Sequence, residues 1–423
     1  MSTTTQPIRM MGRAYGRPEA HPDEELARCG PGTVGGELLR RYWQPVALAG
    51  DAGKLPKQVR VLGEDLILFR DGAGKPGLLY PRCAHRGTSL LYGKVEENGI
   101  RCCYHGWLFD VEGNCLETPC EPASNTAKMV RQPWYPLVEK FGLIFAYMGP
   151  PDKEPAFPRI SLAEDVPDDE QIVAVQSTTG PNGPHPKIGA RTDYNWWQVF
   201  DNFMDPFHVV VTHYLINGVQ FTPSLGILPE VKFEYLPDGV RSIQHRKLPD
   251  GRLHQRVSQV ILPNMHCTPG VTDEDLGLAS VGWVVPSDDT NYLHFIIHRM
   301  PKALQNPMAS FDKVGMLKDD WGPRHGRPFA QWSLEDHQQW QTDYVAQKGQ
   351  GDINLHSEEH LTGIDAGTAM MRRLFKKQAA AVKAGQDPVG ATPGDAYFVR
   401  IVAGNALLDP ATKTCIAGHD GRA

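Results

Sequence analysis

Two short segments in the first third of the chain each combine a cysteine with a histidine. Cys83-x-His85 is followed, after sixteen residues, by Cys102-x-x-His105. Since each segment supplies one sulfur and one nitrogen, the two can converge on a metal from two loop tips. Two irons bridged by sulfide fit this donor set, with the thiolates on one iron and the imidazoles on the other. On residue types alone a Cys2His2 zinc site is the alternative, and Cys103-x-His105 is an alternative pair.

A second pair of metal-ligand candidates, His208 and His213, lies in a segment that favours a helix from Asp193 to Tyr214. Two histidines and one carboxylate form the facial triad of non-haem Fe(II) oxygenases, which leaves coordination sites open. Five residues on a regular α-helix place two side chains about 140° apart. Both imidazoles can therefore reach one metal only if the helix bends, bulges or ends between them.

Asp205 lies three residues before His208 and has two interpretations. Its carboxylate can hydrogen-bond a ligand imidazole and hold the orientation of the ring. Alternatively it caps a helix, because Pro206 follows it and proline is common in the first turn.

The third ligand of a facial triad must be a carboxylate from elsewhere in the chain. We expect Asp365, in the first turns of a final helix over Leu361–Ala384, because it lies among apolar residues and beside small ones. A carboxylate on an apolar face is costly unless it is paired or bound to a metal. Other acidic residues remain as rivals, namely Asp336, Glu358 and Glu359.

The two constellations, in this order, resemble the α subunit of Rieske non-haem iron oxygenases, in the phthalate dioxygenase-like branch. Residues 36–45, 62–66 and 109–115 add to the resemblance (GELLRRYWQP, LGEDL and FDVEGNC). It selects Cys102 rather than Cys103 and implies one Rieske [2Fe–2S] cluster and one mononuclear Fe(II). It also matches Asp205-x-x-His208-x4-His213 to the iron helix of the family, and Asp365 with the following Arg-Arg pair to the helix of the third ligand.

The resemblance further implies a homotrimer or stacked trimers, in which the cluster of one subunit faces the iron of its neighbour. Asp205 then bridges its own His208 and the neighbour's His105, and Asn202 lines the iron site. The implied activity uses O2 and electrons from a separate NAD(P)H-dependent reductase, which can contain flavin and iron–sulfur groups. The substrate is aromatic, with ring dihydroxylation of an aromatic carboxylate expected first. The alternatives are a monooxygenase acting on an aryl ether or O-methyl group and, third, a pure Rieske electron carrier.

An anionic substrate would need a buried cation, ideally an arginine that binds a carboxylate through two parallel hydrogen bonds. The candidates on predicted strands of the second half are Arg241, Arg246, Arg256 and Arg299. Their residue type and position do not separate them.

The elements that position these residues change in character along the 423-residue chain. We expect an arm over 1–35, an all-β Rieske domain over 36–150 ending at a Gly/Pro cluster, and a catalytic domain over 151–423. The fold class is thus α+β, with a curved antiparallel sheet covered by helices in a helix-grip-like second domain. A net charge of −6 disfavours nucleic-acid binding, and no segment predicts a membrane span or a signal peptide. We therefore expect a cytoplasmic protein.

Overall fold

The computed structural model describes residues 17–177, 192–216, 221–270, 277–278, 280–303 and 332–419. The α-helices of these residues are α1 (Glu24–Ala27), α2 (Val34–Arg40), α3 (Thr126–Met129), α4 (Trp196–Asn202), α5 (Phe207–Val210), α6 (Leu334–Gln339), α7 (Asp343–Lys348) and α8 (Ala366–Lys383). One π-helical segment, Val211–Ile216, follows α5 directly. Short 3-10 helices are Ala49–Asp51, Leu90–Tyr92, Pro151–Lys153, Ser161–Ala163, Pro223–Gly226, His356–Glu358 and Gly363–Asp365.

The N-terminal part is built from short antiparallel strands, as its alternating segments and turns predict. They form three sheets, in the orders β1-β10-β9, β2-β3-β4 and β5-β6-β7-β8. Their bounds are β1 (Trp43–Leu48), β2 (Lys57–Val61), β3 (Glu64–Arg70), β4 (Pro76–Leu79), β5 (Lys94–Glu96), β6 (Gly99–Arg101), β7 (Leu108–Phe109), β8 (Cys115–Glu117), β9 (Leu137–Lys140) and β10 (Leu143–Tyr147).

The second half contains a large antiparallel sheet in the order β12-β19-β18-β16-β15-β14-β13, with β21 also paired to β15. Strands β17 and β22 flank β21, whereas β11 and β20 form a separate parallel pair. The bounds are β11 (Arg159–Ile160), β12 (Glu170–Ser177), β13 (Glu230–Leu236), β14 (Gly239–Lys247), β15 (Leu253–Ile261), β16 (Met265–Thr268), β17 (Gly277–Leu278), β18 (Ser280–Asp288), β19 (Asn291–Pro301), β20 (Phe398–Val399), β21 (Gly404–Leu408) and β22 (Cys415–Gly418).

The two faces of this sheet have different neighbours, because side chains alternate along each strand. On one face, Phe295 and Ile297 join a core that continues into the N-terminal part, where Trp283 and Phe145 meet edge to face at 5.5 Å between ring centroids. On the other face, His266 stacks on Phe203, just after α4, with 3.6 Å between ring centroids. The sheet therefore presents one apolar face to the N-terminal part and one face to the helix of the histidine pair.

Helix α8 covers α2 and the start of α4. Phe375 of α8 packs against Trp196 and Trp197, and Gly385 takes a positive φ of 79° just beyond the helix. A single core joins residues on both sides of position 150, so packing is continuous there. The division at 35 and 150 stays a prediction, whereas the α+β class with an antiparallel catalytic sheet is confirmed. None of the described helices combines the length and apolarity that a bilayer span requires.

Candidate metal centres

The two Cys/His loops are built as the same turn. In one, the amide of Gly87 donates to the carbonyl of Cys83 at 2.8 Å, and in the other the amide of Gly106 donates to that of Cys102 at 3.1 Å. Both glycines have φ near +75°, a conformation that residues with a Cβ rarely adopt. Because the two loops have the same turn geometry, Cys83 and His85 of one loop lie next to Cys102 and His105 of the other.

The donor atoms of these loops segregate by type. The Cys83 and Cys102 thiols are buried and in contact, and burial, followed by the neighbouring thiol, raises the pKa of Cys83 to about 11. The rings of His85 and His105 lie 4.5 Å apart, and Trp107 stacks on His85. Two sulfurs on one side and two imidazoles on the other fit a [2Fe–2S] cluster with mixed ligands, whose positive irons would hold the thiolates deprotonated.

Gln132 fixes the first loop and carries no sequence signal that would single it out. It is fully buried, and its Oε1 accepts from the amide of Ala84 at 2.8 Å. Its Nε2 donates to the carbonyls of Tyr80 and Arg82 at 2.8 and 2.9 Å. One side chain thus satisfies three backbone groups around Cys83, which holds the ligand loop against the small core beneath it.

The histidine pair lies where α5 becomes the π-helical segment. In a π-helix hydrogen bonds join residues five apart, so residue i+5 lies nearly above residue i. His208 and His213 are five apart, and their ring centroids are 5.6 Å from each other. The irregularity that their spacing demanded is present and brings both rings to one side.

The carboxylate beside these rings belongs to Asp343, in the first turn of α7. Its Oδ1 lies 3.2 Å from His213 Nε2 and 3.7 Å from His208 Nε2. Burial would raise the pKa of Asp343, but the neighbouring imidazoles lower it to about 2. The three ligand atoms lie close enough for one metal ion to bridge them. Two imidazoles and one ionised carboxylate fit a facial triad for ferrous iron.

Asp365, the expected third ligand, is not at this site. Its Oδ2 accepts from the amide and the hydroxyl of Thr362, at 2.7 and 3.1 Å, in a capping box that begins the turn before α8. The Thr-x-x-Asp spacing was a capping signal, and it outweighs the metal interpretation. The three rival carboxylates also have other partners. Asp336 caps α6, Glu358 pairs with Arg17, and Glu359 pairs with Arg372. No motif surrounds Asp343 in the sequence, so sequence reasoning missed the carboxylate that lies beside the histidine pair.

Asp205 lies at the start of the turn before α5, with its carboxylate and its backbone carbonyl both near His208. Its Oδ1 accepts from the amides of Phe207 and His208 at 2.9 and 3.2 Å, as a cap does. Its backbone carbonyl lies 2.5 Å from His208 Nδ1, and its Oδ2 lies 3.6 Å from the same nitrogen. Burial opposes ionisation, but the His208 hydrogen bond lowers the pKa of Asp205 below its usual value. Asn202 Nδ2 is 3.3 Å from His208 Nε2, so the amide reaches the nitrogen that faces Asp343.

An ion-pair network ties α4 to α8. Arg372 of α8 pairs with Asp201 at the end of α4, and its Nη2 also lies 2.9 Å from Glu359. Burial raises the pKa of Asp201 to about 6, although the guanidinium opposes this. The first arginine of the Arg-Arg pair therefore anchors the helix before the histidines rather than accompanying a ligand.

Comparison with known proteins agrees with this geometry. The family model described as a Rieske [2Fe-2S] domain matches residues 42–136. The chain is 44% identical over 396 residues to phenoxybenzoate dioxygenase subunit alpha of Ectopseudomonas oleovorans, covering 93% of this chain and 94% of that one. The chain belongs to the Rieske non-haem iron oxygenase α subunits. The predicted enzyme class, and the predicted cofactors of one Rieske cluster and one mononuclear iron, are those of this family.

This Rieske oxygenase is also similar to the phthalate 4,5-dioxygenase oxygenase subunit of Pseudomonas putida, at 27% identity over 87% of this chain and 88% of that one. Among solved structures, Pseudomonas putida CBB5 NdmA with caffeine aligns with a TM-score of 0.60 at 19% identity, over 83% of this chain and 94% of that one. Dicamba monooxygenase bound to dicamba aligns with a TM-score of 0.55 at 17% identity, over 83% and 100%. At these identities the structures support the fold alone.

Proposed function

We propose that this Rieske oxygenase hydroxylates an aromatic carboxylate, with dihydroxylation of the ring as the leading reaction. The observation that carries the catalytic role is the convergence of His208, His213 and Asp343 on one point of the second half. A pure electron carrier needs only the cluster loops and has no use for a second donor set. The open face of a facial triad suits a reaction in which O2 and substrate must meet.

We assign Cys83, His85, Cys102 and His105 to the cluster, and His208, His213 and Asp343 to the mononuclear iron. When bound, the cluster supplies single electrons and the ferrous ion supplies O2 activation. The chain's own task is to hold these ligands in the right protonation state and orientation. The Asp205 carbonyl next to His208 Nδ1 keeps the proton on that nitrogen, which leaves Nε2 as the ligand atom.

Asp205 has a second proposed task between subunits of a trimer. His85 is exposed and His105 half-buried at the tips of their loops, so the cluster end of one subunit can approach another. The Asp205 side chain is about one-third exposed, 35%, with Oδ2 not used by the backbone amides that bind Oδ1. We assign it a bridge between His208 and His105 of the partner subunit, and Asn202 a place at the edge of the iron site.

The carboxylate class is supported by the names of the relatives. They include a phenoxybenzoate dioxygenase, a 3-chlorobenzoate-3,4-dioxygenase and a phthalate 4,5-dioxygenase. The second candidate is monooxygenation with loss of an O-methyl or aryl ether group. It is favoured by the 31% identity to the 5,5'-dehydrodivanillate O-demethylase oxygenase subunit of Sphingobium.

We infer that a separate NAD(P)H-dependent reductase, with flavin and iron–sulfur groups, supplies the electrons. Several relatives are named as oxygenase subunits or components, which is how parts of multicomponent systems are described.

Among the described residues, the metal-donor sets other than the cluster loops are the facial triad and the Asp201, His356 and Glu359 group that Arg372 neutralises. A homotrimer or stacked trimer, with the cluster domain over 36–150 and the catalytic domain over 151–423, completes the proposal.

The test is a single turnover. The holoprotein is reduced without air, mixed with an aromatic acid or an aryl ether, and then exposed to O2, with products identified by mass. Ring dihydroxylation adds two oxygen atoms and two hydrogen atoms, which requires O2, two electrons and two protons. Loss of a methyl or aryl group would instead establish the second candidate, and no product from any aromatic compound would remove the oxygenase proposal.

A further inference from the structure

The face of the large sheet turned toward α4 carries an unusual amount of buried polar surface. Ser242, Gln244 and Arg246 alternate along β14 and so point to one face, and Arg256 of β15 lies directly opposite Gln244. All four residues are buried, and Arg246 has no exposed surface. Buried arginines are rare unless they are paired with an anion.

The groups that bind Arg246 in the described part of the chain are neutral. Its Nε donates to the carbonyl of Ile227 at 3.0 Å and its Nη1 to Gln244 Oε1 at 3.0 Å. Gln244 in turn donates to the Ser242 hydroxyl at 3.1 Å, which fixes the amide with its oxygen toward the guanidinium. The remaining nitrogen, Nη2, is buried without a hydrogen-bond partner.

Arg256 is a second positive charge beside the first. It donates to the carbonyls of Gly270 and Pro269, at 2.6 and 3.0 Å, and lies 3.3 Å from Asn405 Oδ1. Burial lowers the pKa of Arg246 to about 10, and burial together with Arg246 lowers that of Arg256 to about 9. Two guanidiniums in this state attract an anion strongly, because an unpaired buried charge is costly.

The other two candidate arginines differ in this respect. Arg241 forms an ion pair with Glu234 at 2.7 Å, and Arg299 pairs with Glu170. Within the described residues, no carboxylate lies in ion-pair distance of Arg246 or Arg256. The sequence left four arginines equivalent, and among the described residues two of them pair with a carboxylate and two do not.

Arg246 and Arg256 lie on the face of the large sheet that is turned toward the end of α4, the helix that precedes the His208–His213 segment. Val240 of β14 lies opposite Val260 of β15, which lies opposite His266 of β16, and His266 stacks on Phe203. The two arginines share the face of these residues, because they lie an even number of positions away along the strands.

A second connection runs through the carbonyl that Arg246 binds. Ile227 follows the turn Pro223–Gly226, where a Cβ on Gly226 would lie 2.3 Å from the ring of Tyr214. Tyr214 is the neighbour of His213 in the π-helical segment. The guanidinium is therefore tied to the chain segment that packs against the iron-ligand helix.

We propose that Arg246, with Arg256 behind it, binds the carboxylate of the substrate and orients its ring toward the mononuclear iron. This rests on the proposed function and adds the residue that recognises the acid. A guanidinium with a free Nη can bind a carboxylate more strongly than a neutral group can, and the second positive charge favours the anion further. Neutral esters of the same aromatic ring lose this interaction.

The experiment measures binding to the holoprotein without air by calorimetry. The probes are benzoate, 3-chlorobenzoate and 3-phenoxybenzoate, each with its methyl ester. We expect at least one acid to bind about tenfold or more tightly than its ester. Arg246→Gln should remove that preference while leaving ester affinity, iron content and the cluster spectrum unchanged. Arg246→Lys keeps the positive charge but lacks the planar guanidinium that binds a carboxylate through two hydrogen bonds, so it should recover part of the preference for acids. It replaces Arg246→Gln in the test if that variant does not fold.

Arg241→Gln is the matched control, because it lies on the same strand with its side chain on the opposite face. It should leave the preference for acids unchanged. The inference is overturned if the wild type binds acids no better than esters, or if Arg246→Gln weakens acid and ester equally. It is also overturned if Arg241→Gln has the same effect. Oxygenation of neutral aromatics without acid binding would leave the oxygenase role standing and remove the carboxylate substrate class, whereas Arg246-dependent acid binding without any oxygenation would remove only the oxygenase role.

Discussion

Asp343, Asp365 and Asp205 carry the same functional group, and their neighbours give each a different task. Two imidazoles surround Asp343, two groups of Thr362 bind Asp365, and two backbone amides bind one oxygen of Asp205. Residue type therefore defined the candidates, and the donors that surround each carboxylate define its role.

Asp343→Ala should remove the mononuclear iron and leave the cluster. Iron analysis should fall from about three to about two per chain, with the reduced cluster signal in EPR unchanged. The matched control, Asp365→Ala, should keep about three irons but lose a cap, which costs about 1 kcal/mol and lowers the melting temperature. The opposite result, with iron lost only from the Asp365 variant, would return the role of third ligand to Asp365.

Asp205→Asn should keep both metal sites and still lower coupled turnover by about 100-fold. Asparagine is as good a cap as aspartate, so the turn before α5 should persist while the bridging charge is lost. Iron content, the cluster EPR signal and product formation with reductase are measured together. Asp250→Asn, in the exposed turn between β14 and β15, is the control. Normal coupled turnover in the Asp205 variant would eliminate the bridge.

At the scale of elements, the π-helical segment after α5 is what makes the histidine spacing workable. His208 lies on α5 and His213 in the π-helical turn, so the change of helix type falls between the two ligands. Arg372 meanwhile fixes the end of α4 to α8. The segment from α4 to Ile216 is thus anchored by Arg372 near the end of α4. It changes to a π-helix where His213 must lie on the same side as His208.

Changing the number of residues between the histidines by one in either direction should have unequal effects. Deleting Val211 leaves four residues of spacing, which a regular α-helix accommodates on one face. Inserting one alanine after Val210 turns His213 by about a further 100°. We expect the deletion to retain the mononuclear iron and the insertion to lose it, as measured by iron per chain with cluster EPR as a check on folding. Equal loss in both variants would mean that the helix type is not what matters.

At the scale of the whole molecule, the described residues form two hydrophobic cores, one that joins the N-terminal part to the large sheet and one beneath the cluster loops. One apolar core runs from α1 and β1 through β10 into the large sheet and the helices that cover it. A smaller core, which includes Phe69, Ile100 and Phe109, lies beneath Cys83 and Cys102. The cluster loops therefore rest on a core of their own and have exposed tips, which agrees with the proposed approach to another subunit.

Mixed trimers can test whether electrons cross between subunits. Asp343→Ala and His85→Ala should each be nearly inactive alone, because one lacks the mononuclear iron and the other the cluster. Trimers assembled from an equal mixture should recover about a quarter of wild-type turnover, since one neighbouring pair in four then joins a working cluster to a working iron. Turnover is measured on material whose trimeric size has been checked by sedimentation. A mixture as inactive as its parents would confine transfer to one chain.

The sequence by itself pointed to the two cluster loops and the histidine pair, because the Cys/His pair of each loop and the pair His208 and His213 lie within five residues of each other, and short spacings fix which atoms can meet. It also determined that the helix at His208 must be irregular, since a five-residue spacing does not fit a regular α-helix. These inferences needed only local geometry, and the antiparallel fold class followed from the pattern of short strands and turns.

Only the tertiary structure brought a carboxylate to the histidine pair and separated the four arginines. Asp343 lies 130 residues beyond His213, and no local rule connects them. Whether a buried arginine is neutralised depends on the register of β14 against β15 and on acids that other elements bring near. Carboxylates and guanidiniums act through neighbours that distant segments supply, and the packing of the whole chain selects those neighbours.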